Sequence, residues 1–225
     1  MIRGARIESF FIAGPAGRLE ALLKHPGEPS PAEPSAHPGT SGAPGPVAVV
    51  CHPHPLFGGT MHNKVVHATA EALVRRGLPT LRFNFRGVGR SAGRHDHARG
   101  EQDDLRAALA VLGERYPARP IVAAGYSFGS FVALAAGCSD PRVAMLIGIA
   151  APAGLFPFGF LRACDKPIVF IQGENDRLAP LPLVLALAAG VPSGARVLPI
   201  PGADHAFHGR LDELGRRVEE TLGTL

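Results

Sequence analysis

A serine flanked by glycines stands between an apolar run and a helix-like run, where a nucleophile could work. The residues are Gly125-Tyr126-Ser127-Phe128-Gly129, and they close the apolar stretch Ile121–Tyr126. A tight turn from strand to helix would lift the Ser127 hydroxyl clear of the sheet, and the small flanking residues would let strand and helix approach each other. The dipole of the following helix favours negative charge that develops at its N-terminus. The pattern predicts a nucleophilic serine, with a structural serine in a Gly-rich turn as the alternative.

A serine hydroxyl needs a base, because its proton is held too tightly at neutral pH. The expected base is a histidine after a later strand, oriented by a carboxylate that follows another strand. His205 comes after the apolar run Arg196–Ile200 and is the preferred base, and Asp176 comes after Ile168–Gln172 and is the preferred acid. His205 has a second interpretation, as a surface or helix-capping histidine. The rivals for the two roles are Glu174, Asp204 and His208.

Short apolar runs alternate with longer helix-like runs from residue 47 onward, and this alternation predicts the elements that hold the three side chains. The predicted strands are Val47–Cys51, Thr80–Phe85, Ile121–Tyr126, Val143–Ile149, Ile168–Gln172 and Arg196–Ile200. The predicted helices are Lys64–Arg76, Gln102–Tyr116, Ser127–Cys138, Leu181–Ala189 and Leu211–Leu222. Such alternation indicates right-handed crossovers and an α/β fold whose parallel sheet is covered by helices on both faces. Ligands of such sheets bind beyond the carboxyl ends of the strands, which is where the candidate residues stand.

The N-terminal part of the chain has a different pattern. Ala5–Ile12 and Arg18–Lys24 are typical of a β-hairpin joined by Gly14-Pro15-Ala16-Gly17. Pro26–Pro46 contains no Val, Ile, Leu, Phe or Met and cannot bury a face, so we interpret it as a Pro/Gly-rich surface insert. We expect one domain over residues 1–225, interrupted by that insert.

Composition and charge exclude several classes of protein. The chain has 28 Gly and 22 Pro, but 46% of its residues are hydrophobic, so a disordered chain is not expected. A net charge of +4 is small for a nucleic-acid binder, and the long charge-free stretches are broken by Gly and Pro, so no membrane span is expected either. Five arginines form a stripe that reads as a solvated turn region or as a cationic rim for acidic substrates. They are Arg82, Arg86, Arg90, Arg94 and Arg99.

The cysteines and histidines are sparse and irregularly spaced. No C-x-x-C motif is present among the three cysteines, which are Cys51, Cys138 and Cys164. Neither a disulfide framework nor a zinc-thiolate site is therefore expected. No Asp or Cys completes a metal-ligand pattern around the histidine pairs, and the prediction is no metal and no organic cofactor. The histidines weighed as metal ligands are His52, His54, His62, His95 and His97.

The N-terminus has no apolar run followed by a cleavage site, so the expected location is the cytoplasm.

With these residues in view, the chain resembles the α/β-hydrolase superfamily over nearly its whole length apart from Pro26–Pro46. It is most similar to a small, cap-less bacterial subgroup of predicted hydrolases and esterases that is dienelactone-hydrolase-like. The resemblance implies an eight-stranded sheet in a three-layer sandwich, with only the second strand antiparallel, and the roles of nucleophile, acid and base for Ser127, Asp176 and His205. Besides the serine turn it is carried by Cys51-His52-Pro53, by Gly58-Gly59-Thr60-Met61-His62-Asn63-Lys64, and by Arg82-Phe83-Asn84-Phe85-Arg86-Gly87-Val88-Gly89.

Two backbone N–H groups are expected to bind the oxyanion that forms on a carbonyl under attack. One belongs to Phe128, the residue after the nucleophile. The other should come from the loop after Val47–Cys51, where prolines 53 and 55 have no N–H to donate. His54 and Leu56 remain, and His54 is preferred by its position in the loop.

These observations predict a serine hydrolase that cleaves small carboxylic esters or thioesters through an acyl-enzyme. Phe57, Phe156 and Phe158 are the candidates for binding an apolar acyl group, with ordinary core packing as the alternative for the last two. Only residues 150–167 separate two predicted strands, which leaves no room for a lid domain and favours an open site. A peptidase and a catalytically idle fold that serves as a binding module are the alternatives. The sequence leaves monomer and homodimer open.

Overall fold

The computed structural model describes residues 6–27 and 45–224, so the expected insert lies almost wholly outside the described residues. The described strands are β1 Ile7–Gly14, β2 Gly17–Lys24, β3 Val47–Cys51, β4 Thr80–Phe83, β5 Ile121–Tyr126, β6 Val143–Ile149, β7 Ile168–Gly173 and β8 Ala195–Ile200. The described α-helices are α1 Lys64–Arg75, α2 Arg99–Arg115, α3 Phe128–Ser139, α4 Leu181–Ala189 and α5 Leu211–Thr221.

The strands form one sheet in the order β1-β2-β4-β3-β5-β6-β7-β8. β2 is antiparallel to both of its neighbours, whereas the pairs from β4 to β8 are parallel. Among the described residues this confirms the eight-stranded sheet in which only the second strand is antiparallel. The carboxyl ends of β3, β5, β7 and β8 therefore meet at one edge of the sheet.

Helices cover both faces of the sheet, and each face has its own hydrophobic core. One core is formed with α2, α3 and α4, and the other with α1 and α5. Alternate residues of β5 enter the two cores, with Ala123 in the first and Val122 and Ala124 in the second. Burial on both faces explains why such strands read as continuous apolar runs in the sequence. The three-layer α/β fold is thus confirmed.

β1 lies two residues later than predicted, and several other elements differ from their predicted bounds by one residue. The end of β4 and the start of α2 differ because local hydrogen bonds override the apolar pattern. β4 ends two residues before the predicted end. The Phe85 N–H donates to His52 Nε2 at 3.0 Å and the Arg86 N–H donates to Asp104 Oδ2 at 2.9 Å. Neither N–H group is therefore available for hydrogen bonds between strands. α2 begins three residues before the predicted start. There Asp96 Oδ2 accepts the Gly100 N–H at 3.0 Å and satisfies a donor of the first turn.

The five arginines do not form a continuous surface stripe. Arg82 is 5% exposed and donates to Met61 O at 3.0 Å, and Arg86 pairs with the fully buried Asp104 at 2.8 Å. Two of the five charges are therefore used inside the fold, whereas Arg90, Arg94 and Arg99 are exposed. As for membranes, the described helices include none with the length and apolar character that a span requires.

The expectation of no disulfide is wrong for one pair, because Cys138 and Cys164 form one. Their Cα atoms are 5.4 Å apart, although 26 positions separate them in sequence. Cys138 lies in the last turn of α3, and Cys164 follows a short 3-10 turn at Gly159–Ala163. The pairing depends on how α3 packs beside that turn, and the spacing of the cysteines carries no sign of it. Cys51 is free and buried.

Removing this disulfide is expected to lower the free energy of unfolding by about 3–4 kcal/mol, because the cross-link removes loop entropy from the unfolded chain. Urea unfolding of the Cys138→Ala/Cys164→Ala variant and of the parent chain, each with and without reductant, measures this. Only the parent should respond to reductant. Thiol titration of the denatured parent should count one thiol before reduction and three after it. Three thiols before reduction would contradict the pairing.

Candidate active site

Ser127 lies in a strained turn between β5 and α3. Its φ of 53° and ψ of −121° place a non-glycine residue at positive φ, which is uncommon outside tightly determined sites. A Cβ at Gly125 would lie 2.1 Å from Gly129 O, and a Cβ at Gly129 would lie 2.4 Å from His52 O. Only glycine fits both positions. The close approach of helix and strand thus depends on the two glycines of the motif, and it presents the serine side chain at the helix N-terminus.

A chain of hydrogen bonds joins the three preferred residues. Ser127 Oγ lies 3.0 Å from His205 Nε2, and His205 Nδ1 lies 2.8 Å from Asp176 Oδ2. Ser127 is 8% exposed and Asp176 3%, while His205 is partly open to solvent. When Nδ1–H donates to the carboxylate, Nε2 is free to accept the serine proton. The arrangement can therefore activate the hydroxyl as a nucleophile.

Backbone and side-chain donors hold the Asp176 carboxylate in place. Oδ1 accepts the N–H groups of Leu178 at 2.9 Å and Ala179 at 2.8 Å. Oδ2 accepts Gln172 Nε2–H at 2.9 Å in addition to the histidine. These bonds compensate for the burial of the carboxylate and fix the lone pair that faces the imidazole. Sequence reasoning missed Gln172, a polar residue near the end of an otherwise apolar strand.

Tyr126 fixes the loop that carries the histidine. Its hydroxyl donates to His205 O at 3.0 Å, and the two ring centroids are 5.4 Å apart. Burial raises the pKa of Tyr126, and the neighbouring carboxylates of Asp176 and Asp204 raise it further, so the hydroxyl keeps its proton at neutral pH. Sequence reasoning missed this residue too. The sequence feature that could have identified it is a tyrosine directly before the serine of the motif.

The rival residues lie outside this hydrogen-bonded chain. Glu174 Oε2 accepts the Gly202 N–H at 3.1 Å. Asp204 pairs with His208 at 2.7 Å, with both side chains about half exposed or more. Each rival is engaged elsewhere, so the structure brings together the preferred residues and leaves the alternatives apart.

The loop after β3 packs on the first turn of α3, where the oxyanion donors were expected. The rings of His54 and Phe128 are 4.8 Å apart. The Leu56 N–H donates to His54 Nδ1 at 3.2 Å and is therefore occupied. The N–H groups of His54 and Phe128 have no hydrogen-bond acceptor within residues 6–27 and 45–224. Of the two loop candidates, His54 is the one whose N–H is free.

His52 ties this loop to the end of β4. Its Nδ1–H donates to Pro53 O at 2.7 Å, and its Nε2 accepts the Phe85 N–H at 3.0 Å. Burial lowers the pKa of His52 to about 4, against the opposing hydrogen bond to Pro53. The ring is therefore neutral, and both of its nitrogens are used. Sequence reasoning weighed His52 only as a metal ligand, and no metal-ligand group of three such side chains is found in the described part of the chain.

We expect His52 to make the protein easier to unfold as the pH falls. The unfolded chain takes up the proton near the ordinary value of 6.5, but the folded ring resists it down to about 4. The contribution to stability is complete above pH 6.5 and is lost as the pH falls, by about 3 kcal/mol between pH 7 and pH 4. Urea unfolding at several pH values should show a correspondingly weaker pH dependence in His52→Gln. The exposed His62→Gln is the control, and equal slopes in all three proteins would refute the assignment.

The three candidate phenylalanines occupy different positions. Phe57 is 85% exposed, with its ring 4.8 Å from that of His54, and Phe156 is half-buried, with its ring 5.8 Å from that of Phe128. Both border the loop and turn that carry the free N–H groups. Phe158 is 6% exposed and packs 5.3 Å from Phe131. It belongs to the core, which is the alternative that the sequence left open.

A cavity of about 570 Å³ lies against His205 and is lined by parts of the loops 175–178 and 202–206. It opens beside the candidate base and supplies room for a small substrate or leaving group. Another cavity, of about 520 Å³, includes Pro120 and Ile121 in its lining. Since β5 begins there, that cavity lies at the opposite edge of the sheet from Ser127.

Known proteins share this architecture. Residues 44–157 match the family model described as serine aminopeptidase, S33. An uncharacterized protein of Rickettsia prowazekii is 32% identical over 224 aligned positions, covering 96% of this chain and 88% of its own. A structure of an α/β serine hydrolase homologue from Coxiella burnetii is 39% identical, with a TM-score of 0.84 and coverage of 96% and 97% of the two chains. A structure of an α/β serine hydrolase without lid from Xanthomonas campestris is 33% identical, with a TM-score of 0.83 and coverage of 98% and 95%.

Proposed function

Because this chain belongs to the α/β serine hydrolases, in a group without a lid, we propose that it cleaves small carboxylic esters or thioesters through an acyl-enzyme. The observation that carries the proposal is the hydrogen-bonded chain from Ser127 Oγ through His205 to Asp176, at 3.0 Å and 2.8 Å. These distances lie within the range over which a base removes a proton from a nucleophile. The three residues then act as a catalytic triad.

In the acylation step Ser127 Oγ attacks the carbonyl carbon while His205 Nε2 takes the hydroxyl proton. Asp176 holds the Nδ1–H tautomer and stabilises the imidazolium. The carbonyl oxygen becomes an oxyanion that accepts hydrogen bonds from the free N–H groups of Phe128 and His54, and the loss of one such donor typically costs about 3–4 kcal/mol. The intermediate collapses, the bond to the alkoxide or thiolate breaks, and the imidazolium protonates this leaving group.

In the deacylation step a water molecule repeats the attack. His205 Nε2 takes a proton from the water as it adds to the acyl carbon, and the second oxyanion uses the same two N–H groups. Collapse returns the proton to Ser127 Oγ and releases the carboxylic acid. The cycle draws on side chains, backbone and water, and it requires no metal or organic cofactor.

The surroundings of Ser127 support a small, apolar substrate. Residues 150–167, between β6 and β7, contain only the short turn Gly159–Ala163, so within residues 6–27 and 45–224 no lid domain covers the site. The exposed Phe57 and the half-buried Phe156 offer apolar surface beside the oxyanion donors. We assign them to the acyl group of the substrate, with the leaving group directed to the cavity beside His205.

The family description favours a second candidate, an aminopeptidase. Such an enzyme needs a group that recognises a free α-amino cation, and besides Asp176 the two carboxylates on the loops that carry the acid and the base already have partners. Glu174 accepts the Gly202 N–H and Asp204 pairs with His208. The ester proposal is therefore preferred, and the peptide alternative is kept as an outcome of the assay.

Turnover of p-nitrophenyl acetate and butyrate tests the proposal, alongside short acyl-CoA thioesters and aminoacyl p-nitroanilides. We expect ester turnover with an initial burst of p-nitrophenol, and one fluorophosphonate adduct per chain. Hydrolysis confined to the p-nitroanilides would establish the peptidase instead. A chain that neither turns over substrate nor forms the adduct would be an idle fold that serves as a binding module.

A further inference from the structure

A second histidine–carboxylate pair lies next to the expected oxyanion donors. His95 Nδ1 is 2.8 Å from Glu101 Oε1, and the two side chains are 7% and 0% exposed. The contact is close but lacks the geometry of an aligned hydrogen bond. Neither residue contacts the hydroxyl of Ser127 or the ring of His205. The reaction proposed for Ser127 does not use the pair.

The His95 ring touches both residues that supply the free N–H groups. Its centroid is 4.7 Å from that of His54 and 5.6 Å from that of Phe128, which are themselves 4.8 Å apart. The three rings therefore form one packed group, with tilted contacts typical of aromatic packing. One side chain thus bridges the loop after β3 and the first turn of α3.

Glu101 anchors that ring to the body of the fold. It stands in the first turn of α2, where the helix dipole stabilises a negative charge. Its Oε1 also accepts the Asp96 N–H at 2.8 Å. Farther along the same helix, the buried Asp104 accepts the Arg86 N–H at 2.9 Å and ties the helix to the segment after β4. The His95 ring is in this way held by a helix rather than by a loop.

We propose that His95 is a positioning residue for the oxyanion site, with Glu101 holding its ring. The inference rests on the function proposed for Ser127. A hydrogen bond weakens steeply when the N–H turns away from the acceptor, so the two donors must keep a fixed direction relative to the serine. The rings of His54, His95 and Phe128 supply that constraint. Since the donors act on the charge that develops in the transition state, loss of the ring should reduce kcat and leave KM nearly unchanged.

Steady-state kinetics of four variants on p-nitrophenyl butyrate test the proposal. His95→Ala should lower kcat about 10- to 100-fold, less than the complete loss of a donor, with KM within about twofold. His95→Phe retains the ring but not the contact with Glu101, so it should recover only part of kcat. Glu101→Ala leaves the His95 ring without its anchor and should lower kcat to a similar extent, and the Glu101→Ala/His95→Ala double variant should fall no further than His95→Ala alone, because both residues act through the same ring.

His97→Asn is the matched control. The His97 ring is exposed and contacts the ring of His95 at 5.1 Å, and asparagine tolerates the positive φ of 49° at this position. Its kcat should equal that of the parent. A folded His95→Ala variant with unchanged kcat, or with a change confined to KM, would overturn the proposal.

The amide resonances of His54 and Phe128 provide a readout that needs no turnover. Both should shift in His95→Ala and in Glu101→Ala, and neither should shift in His97→Asn. If the parent chain hydrolyses nothing, the proposed function fails while these spectra still decide the positioning role. Unchanged amide signals in a folded His95→Ala variant would exclude that role whatever the enzyme's substrate.

Discussion

Replacement of Ser127 by alanine should abolish turnover, with kcat reduced by about 10⁴- to 10⁶-fold. Among the described residues, the hydroxyl is the only group that is both at the helix N-terminus and bonded to the base, at 3.0 Å from His205 Nε2. Its removal takes away one hydrogen bond and leaves the Cβ in place. The change in stability should therefore stay below about 1 kcal/mol. Fluorophosphonate labelling should vanish together with the activity, as measured by intact-protein mass.

The matched control for this variant is Ser139→Ala at the other end of α3. The Ser139 hydroxyl bonds Ala136 O at 3.4 Å and has no part in the site. It should keep full activity and full labelling. More than about 1% residual activity in Ser127→Ala, or a persisting adduct, would mean that another residue is the nucleophile.

The second large effect is expected for Asp176→Asn, with a fall in kcat of about 10⁴-fold. The new amide oxygen would take over the bonds from the N–H groups of Leu178 and Ala179, now 2.9 and 2.8 Å long. The amide nitrogen would then face His205 Nδ1, which would have to accept a hydrogen bond. The imidazole proton would move to Nε2, and that nitrogen could no longer take the proton of Ser127.

The rate constant for acylation by p-nitrophenyl acetate measures this effect directly. Glu174→Gln and Asp204→Asn are the controls, because both carboxylates stand on neighbouring loops and bond other partners. We expect them to stay within about threefold of the parent. If one of them loses more activity than Asp176→Asn, the acid has been assigned to the wrong residue.

The parts of the fold that depend on local pattern were predictable. β3, β5 and β6 have the predicted bounds, because strands buried on both faces must be apolar throughout. The positions of Ser127, Asp176 and His205 followed from one rule, that ligands bind beyond the carboxyl ends of parallel strands. At the end of β4 the boundary was wrong because backbone N–H groups had found partners outside the sheet.

Several supporting contacts were not predictable, because they join residues that are far apart in the chain. Phe85 donates to His52 across 33 positions, and Tyr126 donates to His205 across 79. The contacts of His95 with His54 and Phe128 require two separate loops and the first turn of α3 to meet. A motif identifies the group that reacts, whereas the groups that hold it emerge only when the tertiary packing is known.

The Cys138–Cys164 bond closes a covalent ring of residues 138–164, and β6 runs inside it. The ring begins in the last turn of α3, the helix that starts next to the nucleophile. It ends shortly before β7, the strand that leads to the acid. Serine and aspartate therefore remain tethered through the ring even after the sheet has lost its non-covalent contacts. His205 follows β8, which is the outermost strand on one side of the described sheet and lies outside the ring. An opening that starts at β8 would therefore separate the base from the other two residues first.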